Sequence, residues 1–191
     1  MSRYSTVAVI LHWLIAVAVV ALLIAGFWMG DAIKKPETQA LAFEVFQLHK
    51  SLGLTVLVLT VVRLLWRLGH RPPALPEAMP GWQKTAAHAT AWAFYVILLA
   101  MPLSGWVIVS TSPFGLPTMW FGLFEWLHIT PLTNAANSLQ INGAAEEVHE
   151  LLAFGTLGLL FLHVAGALKH HFIDRDDVLA RMIPWLARKG V

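Results

Sequence analysis

The sequence predicts an all-α integral membrane protein: a four-helix bundle, both termini cytoplasmic, with a long external loop between helices three and four. Three observations carry this. Hydrophobic residues make up 58% of the 191-residue chain and charged residues only 13%, with a mean hydropathy of +0.66; soluble domains are about 45–50% apolar and about 25% charged. Four segments are long and apolar enough to cross a hydrocarbon core of about 30 Å, which takes roughly 20 helical residues. Lysine and arginine are shared unequally between the two sides those segments would create.

The first span covers about residues 7–29, inside a stretch (4–30) without a single charge. Its apolar run is too long for the usual h-region of a signal peptide, and no convincing small-residue cleavage site follows, so it is expected to be retained. The second span covers about 44–68; its interior is apolar from Leu52 to Val62, and Lys50 and Arg63 can snorkel to opposite surfaces. The third runs over about 84–110, with a kink expected at Pro102. The fourth covers about 146–172, and residues 151–168 carry no charge. The tail, 174–191, places Val178, Leu179, Met182, Ile183 and Leu186 at helical spacing among arginines, which reads as an amphipathic helix on the inner surface. The chain is thus one transmembrane domain, 1–191.

Orientation follows from the cations. Arg3, Arg63, Arg67, Arg71, Lys84, Lys169, Arg175, Arg181, Arg188 and Lys189 fall on one side, and Lys34, Lys35 and Lys50 on the other. Ten against three puts both termini in the cytoplasm by the positive-inside rule. The segment from Thr111 to Ala145 has no Lys or Arg and is rich in aromatic residues, so it is expected to lie in the outer interface.

Several function classes drop out. No cysteine is present, which removes disulfides, thiolate metal sites and covalently attached c-type haem. A net charge of +2 with unclustered basic residues gives no nucleic-acid footprint.

The histidines carry the chemistry. His12, His49, His88, His149 and His163 all fall within spans, where an ionisable side chain must find a partner or cost several kcal/mol. His149 and His163 lie fourteen residues apart on one helix. That spacing separates them by about 21 Å along the axis but only about 40° in azimuth. They therefore face the same interior at two depths. His49 is level with His149, and His12 with His163. His88 is also at the inner level and is a rival partner for His12; the alignment of His163 with His149 favours His163.

Two facing imidazoles with no thiolate or acidic ligand suit a flat metal-bearing plate better than a tetrahedral zinc site. Two haem b groups fit, each iron held from both sides and each macrocycle filling an apolar bundle core. Such a pair would carry single electrons across the membrane. Arg63, fourteen residues after His49, fits a partner for an inner-haem propionate and equally an interfacial arginine. Gly105, Gly155, Gly158 and Gly166 could admit a macrocycle or a neighbouring helix. His170, seven residues after His163, could meet a quinone or simply lipid headgroups. Lys50, with Lys34 and Lys35, could draw a small anion to the outer end, or merely snorkel. His70 and His128 read as surface residues.

These motifs together resemble the bacterial cytochrome b561 family of small four-helix dihaem membrane cytochromes. The resemblance rests on LHW (Leu11–Trp13), LHKSLG (Leu48–Gly53), VVRLLWR (Val61–Arg67), AMPLSGW (Ala100–Trp106) and the VHELLA and LHVAGALKHHF stretches of the fourth helix, and it spans nearly the whole chain. It implies that His12 and His163 ligate an inner haem, and His49 and His149 an outer one. It also implies an oxidoreductase that takes electrons from superoxide outside and delivers them to ubiquinone. Relatives that serve as haem subunits of membrane dehydrogenases or hydrogenases imply an alternative, in which a redox protein is the donor. A haem-free transporter with a histidine proton relay is the third reading.

Overall fold

The computed structural model describes residues 3–183 and Leu186. Four long helices are each apolar enough to cross a membrane: α1 (Thr6–Ala32), α2 (Gln39–Gly69), α3 (Gly81–Thr111) and α5 (Ser138–Lys169). They extend beyond the apolar cores read from the sequence; α5 starts eight residues before Glu146, so its first two turns stand outside the apolar stretch. α3 runs helically through Pro102.

Local chemistry sets the ends. Ser5 caps α1 by accepting the Ala8 N–H (3.3 Å), and the same oxygen takes the Trp66 Nε1–H (2.9 Å), fastening the start of α1 to the end of α2. At the other end Thr38 donates to Ala32 O (2.7 Å), which also accepts the Lys35 N–H (3.2 Å). The connection is only residues 33–38, so α1 and α2 form an antiparallel hairpin. Within the spans, Thr55, Thr111 and Thr156 return their hydroxyls to the carbonyls of Ser51, Val107 and Leu152, which removes unsatisfied donors from the apolar layer.

α1 packs on α2, α2 on α3, and α3 on α5. The buried core lies between α1 and α2, where Ile15, Ala18, Val19 and Val56 meet Leu22, Leu23, Leu52 and Leu59. Elsewhere large apolar side chains point outward along every span, including Val17, Leu65, Val96, Leu151 and Phe161. Such a surface is stable only against lipid.

One departure from an all-helical chain lies between α3 and α5. Strands β1 (Thr118–Trp120) and β2 (Phe124–Trp126) form an antiparallel hairpin with Trp120 opposite Phe124, followed by the one-turn helix α4 (Thr130–Thr133). Phe121 and Gly122 both take positive φ (47° and 73°), and Leu123 N–H closes the turn on Trp120 O (2.9 Å). Two successive positive φ values match the twist of a tight hairpin, and they cost a phenylalanine about 1–3 kcal/mol. The hairpin is fastened to α2: Ser51 Oγ accepts the Phe121 N–H (3.0 Å) and lies 2.9 Å from Met119 O, while Trp120 Nε1 donates to Thr55 (3.1 Å). Phe114, Leu123 and Leu127 remain exposed on this loop.

At the opposite end α5 runs into a π-turn, His170–Asp174, and Arg175 adopts φ 55°. The chain then returns over the bundle, with Trp13 Nε1 donating to Met182 O (3.0 Å) and Arg181 donating to Ala74 O. Over the tail, the described residues hold a 3-10 turn at Leu179–Arg181. Val178, Met182 and Ile183 flank that turn without continuing it, so residues 175–183 do not form the expected amphipathic helix; residues 184, 185 and 187–191 lie outside the described residues.

Candidate haem sites

Two histidine pairs form across the bundle, and α5 contributes one member to each. His12 of α1 stands beside His163, with ring centres 6.1 Å apart and planes at 66°. His49 of α2 stands beside His149, with centres 6.3 Å apart and planes at 64°. The two pairs occupy two depths of the same interior, because fourteen residues of helix separate them by about 21 Å.

The spacing has a chemical meaning. An imidazole nitrogen binds a metal at about 2.0–2.1 Å, so two rings on opposite sides of one ion have centres roughly 6 Å apart. Among the described contacts no hydrogen bond joins the rings of either pair. His49 Nδ1 is buried with no partner at all. A buried polar atom left this way costs about 1–3 kcal/mol, and the ring persists there only if something else gains from it. A planar metal group gripped between the imidazoles meets that condition, so the four residues fit haem b.

The surroundings hold the rings. At the His49–His149 end, Gly26 of α1 lies so close that a Cβ would stand 3.3 Å from His49 Cε1, and Gly105 of α3 is equally close to His149 Cε1. An added methyl at either position would press the ring aside by a few tenths of an ångström. Ser104 Oγ stands 2.9 Å from His149 Nδ1. At the His12–His163 end, Phe94 of α3 meets His163 edge to face with centres 5.3 Å apart. Arg63 Nη1 reaches Ala8 O (3.4 Å), one helical turn before His12.

Other residues singled out in the sequence find different places. His88 is exposed on α3, away from His12, whose ring partner is His163. Lys50 donates to Pro117 O (3.2 Å), which ties α2 to the start of the hairpin. His170 sits in a cluster of charges: Nδ1 is 2.7 Å from Asp176 Oδ2 and 3.1 Å from Asp174 Oδ2, and Lys169 reaches the same Asp174 oxygen (2.5 Å). Gly155 makes room for the tip of Ile97, whereas Gly158 and Gly166 face no atom within 4 Å. His70 stacks on Trp66 at 3.9 Å, and His128 shares a hydrogen bond with buried Thr118 (3.2 Å).

Sequence reasoning passed over Gly26, Ser104 and Phe94. Each acts on a ring of another helix, and no spacing within its own helix marks it.

Comparison with known proteins gives the family. The family model for prokaryotic cytochrome b561 matches residues 3–185. The chain is 35% identical to cytochrome b561 homolog 2 of Escherichia coli (strain K12) over 189 residues, covering 95% of this chain and 91% of that protein. It is 30% identical to cytochrome b561 homolog 1 of the same organism, covering 96% and 98%. It is 29% identical to the probable superoxide oxidase CybB of Yersinia pestis, covering 95% and 96%. A full-length family match and two interhelical histidine pairs lead to one conclusion: the chain belongs to the prokaryotic cytochrome b561 family, multi-pass bacterial membrane proteins that bind haem b and transfer electrons.

Proposed function

We propose that this chain is a dihaem cytochrome that moves single electrons from superoxide at the outer face to ubiquinone. The observation that carries the reading is the repeated pair, His12–His163 and His49–His149, at ring separations of 6.1 and 6.3 Å along one helix. In this reading the excess of Lys and Arg places both termini inside, so His49 and His149 hold the outer haem and His12 and His163 the inner. Haem b, when bound, supplies a metal that changes by one electron without a bond to substrate.

The residues divide the remaining work. Each pair would hold one iron through its two imidazoles, which would leave oxygen no place to bind. α5 holds the two centres in register. Arg63 offers a cation to an inner propionate. Lys50 places a positive charge at the outer mouth, where it would attract a small anion. His170, fixed by Asp176, would meet a quinone at the inner surface and pass it a proton. Superoxide gives up one electron and leaves as dioxygen; two such electrons and two protons convert the quinone to quinol. The name of the Yersinia relative supports the choice of donor.

The test starts with an absorption spectrum of the purified protein, which should show reduced b-type bands from two haems. Superoxide is then supplied with a soluble ubiquinone analogue, and quinol formation is followed. Quinol formed by the protein alone supports the self-contained reading. A requirement for a partner dehydrogenase or hydrogenase replaces it with the subunit reading. Absence of b-type bands removes the dihaem assignment.

A further inference from the structure

We propose that Ser104 is a positioning residue that holds His149 in one tautomer and keeps the outer haem at a lower reduction potential than the inner one. The proposal rests on the dihaem reading above. Ser104 is 9% exposed on α3. Its Oγ lies 2.7 Å from Met101 O and 2.9 Å from His149 Nδ1. A hydroxyl has one hydrogen, and Met101 O can only accept. The Ser104 hydrogen therefore goes to Met101 O, and the ring nitrogen donates to Ser104 Oγ. Nδ1 then carries the proton of His149, and the lone pair of Nε2 is free for iron.

Gly105, the next residue, sits against Cε1 of the same ring. Ser104 thus fixes the rotation and the proton of the imidazole, and Gly105 leaves the ring its room. Donation from Nδ1–H makes the imidazole a stronger electron donor to its metal. That favours ferric over ferrous iron and lowers the potential.

Among the described residues, no hydrogen bond of this kind reaches the other three. His49 Nδ1 is buried without a partner, and the hydrogen bonds of α3 and α5 do not touch His12 or His163. The inner end instead holds the Arg63 guanidinium, whose Nη1 reaches Ala8 O (3.4 Å), one helical turn before His12. A nearby cation stabilises the reduced centre and raises its potential. At the outer end Lys50 turns its Nζ to Pro117 O (3.2 Å). Lys50 leaves a cation at the outer end too, so the difference between the two centres rests on the Ser104 hydrogen bond, and an electron that arrives at the His49–His149 centre runs downhill to the His12–His163 centre.

The test is a redox titration of the purified protein, followed by absorbance, with Ser104→Ala and Ser104→Thr. The outer haem is identified as the one missing from His149→Ala. With Ser104→Ala the outer haem should become easier to reduce: at the potential that half-reduces it in the unsubstituted protein, its reduced-to-oxidised ratio should rise severalfold. A tenfold rise corresponds to about 59 mV for a one-electron couple. The inner haem should not move, and Ser104→Thr, which keeps the hydroxyl, should restore the original value. Loss of the outer haem in Ser104→Ala with retention in Ser104→Thr equally supports the positioning role. An unmoved outer haem, an equal shift of both haems, or the same defect in both variants overturns the proposal. An unsubstituted protein without two b-type haems overturns the parent reading and this one together, and is seen before any variant is made.

Discussion

Substitution of Gly105 probes the His149 site most directly. An alanine Cβ there would lie 3.3 Å from His149 Cε1 and 3.7 Å from Nδ1. Carbon atoms attract best at about 3.5–4.0 Å, so the closer contact is about 0.2–0.7 Å too tight. Overpacking of this kind costs about 1–3 kcal/mol when neighbours cannot move. The His149 ring cannot swing freely, because Nδ1 is held by Ser104 (2.9 Å). Gly105→Ala should therefore retain both haems and perturb the outer one alone, seen as a shifted band or potential. Gly105→Leu puts four carbons where the imidazole stands and should halve the haem-to-protein ratio, measured by extraction and pyridine haemochrome absorbance. Gly158→Ala, which meets no atom within 4 Å, is the control and should change neither. A Gly105→Leu protein with two haems and an unaltered spectrum would refute the reasoning.

Three further outcomes follow from the geometry. His163→Ala should lose the inner haem and keep the outer, while His88→Ala should lose none, checked by haem stoichiometry. Ser51→Ala should unfasten the hairpin by leaving the Phe121 N–H unpaired, at a cost of about 1–3 kcal/mol. Phe121→Gly should gain about 1 kcal/mol by relieving the positive φ; both changes are read from thermal unfolding in detergent. Lys50→Ala should slow superoxide-driven quinone reduction at low salt and flatten its ionic-strength dependence, since screening removes only attraction that exists.

Much of the fold was legible in the sequence because its rules are local. A hydrocarbon core admits only segments whose backbone is satisfied internally, so four apolar stretches had to become helices. The stagger of His149 and His163 follows from helical rise and period alone, without knowledge of any neighbour. The hairpin between α3 and α5 was not legible. Its strands are three residues each, and what stabilises them is Ser51, Lys50 and Thr55 on a helix some seventy residues earlier. The sequence reading treated that segment only as interfacial loop, since its aromatic content matches both descriptions.

The candidate sites divide in the same way. The sequence by itself determined that histidines stand at two depths inside a membrane, because hydropathy and the 1.5 Å rise are properties of each helix alone. Only the tertiary structure decided which rings face one another. Rotation of one helix against the next is set by side-chain packing, and it leaves His88 exposed while turning His12 to His163. It also brings Gly26 to His49 and Ser104 with Gly105 to His149. A glycine and a serine carry no periodic signal, and their meaning here comes from the helix that happens to pack against them.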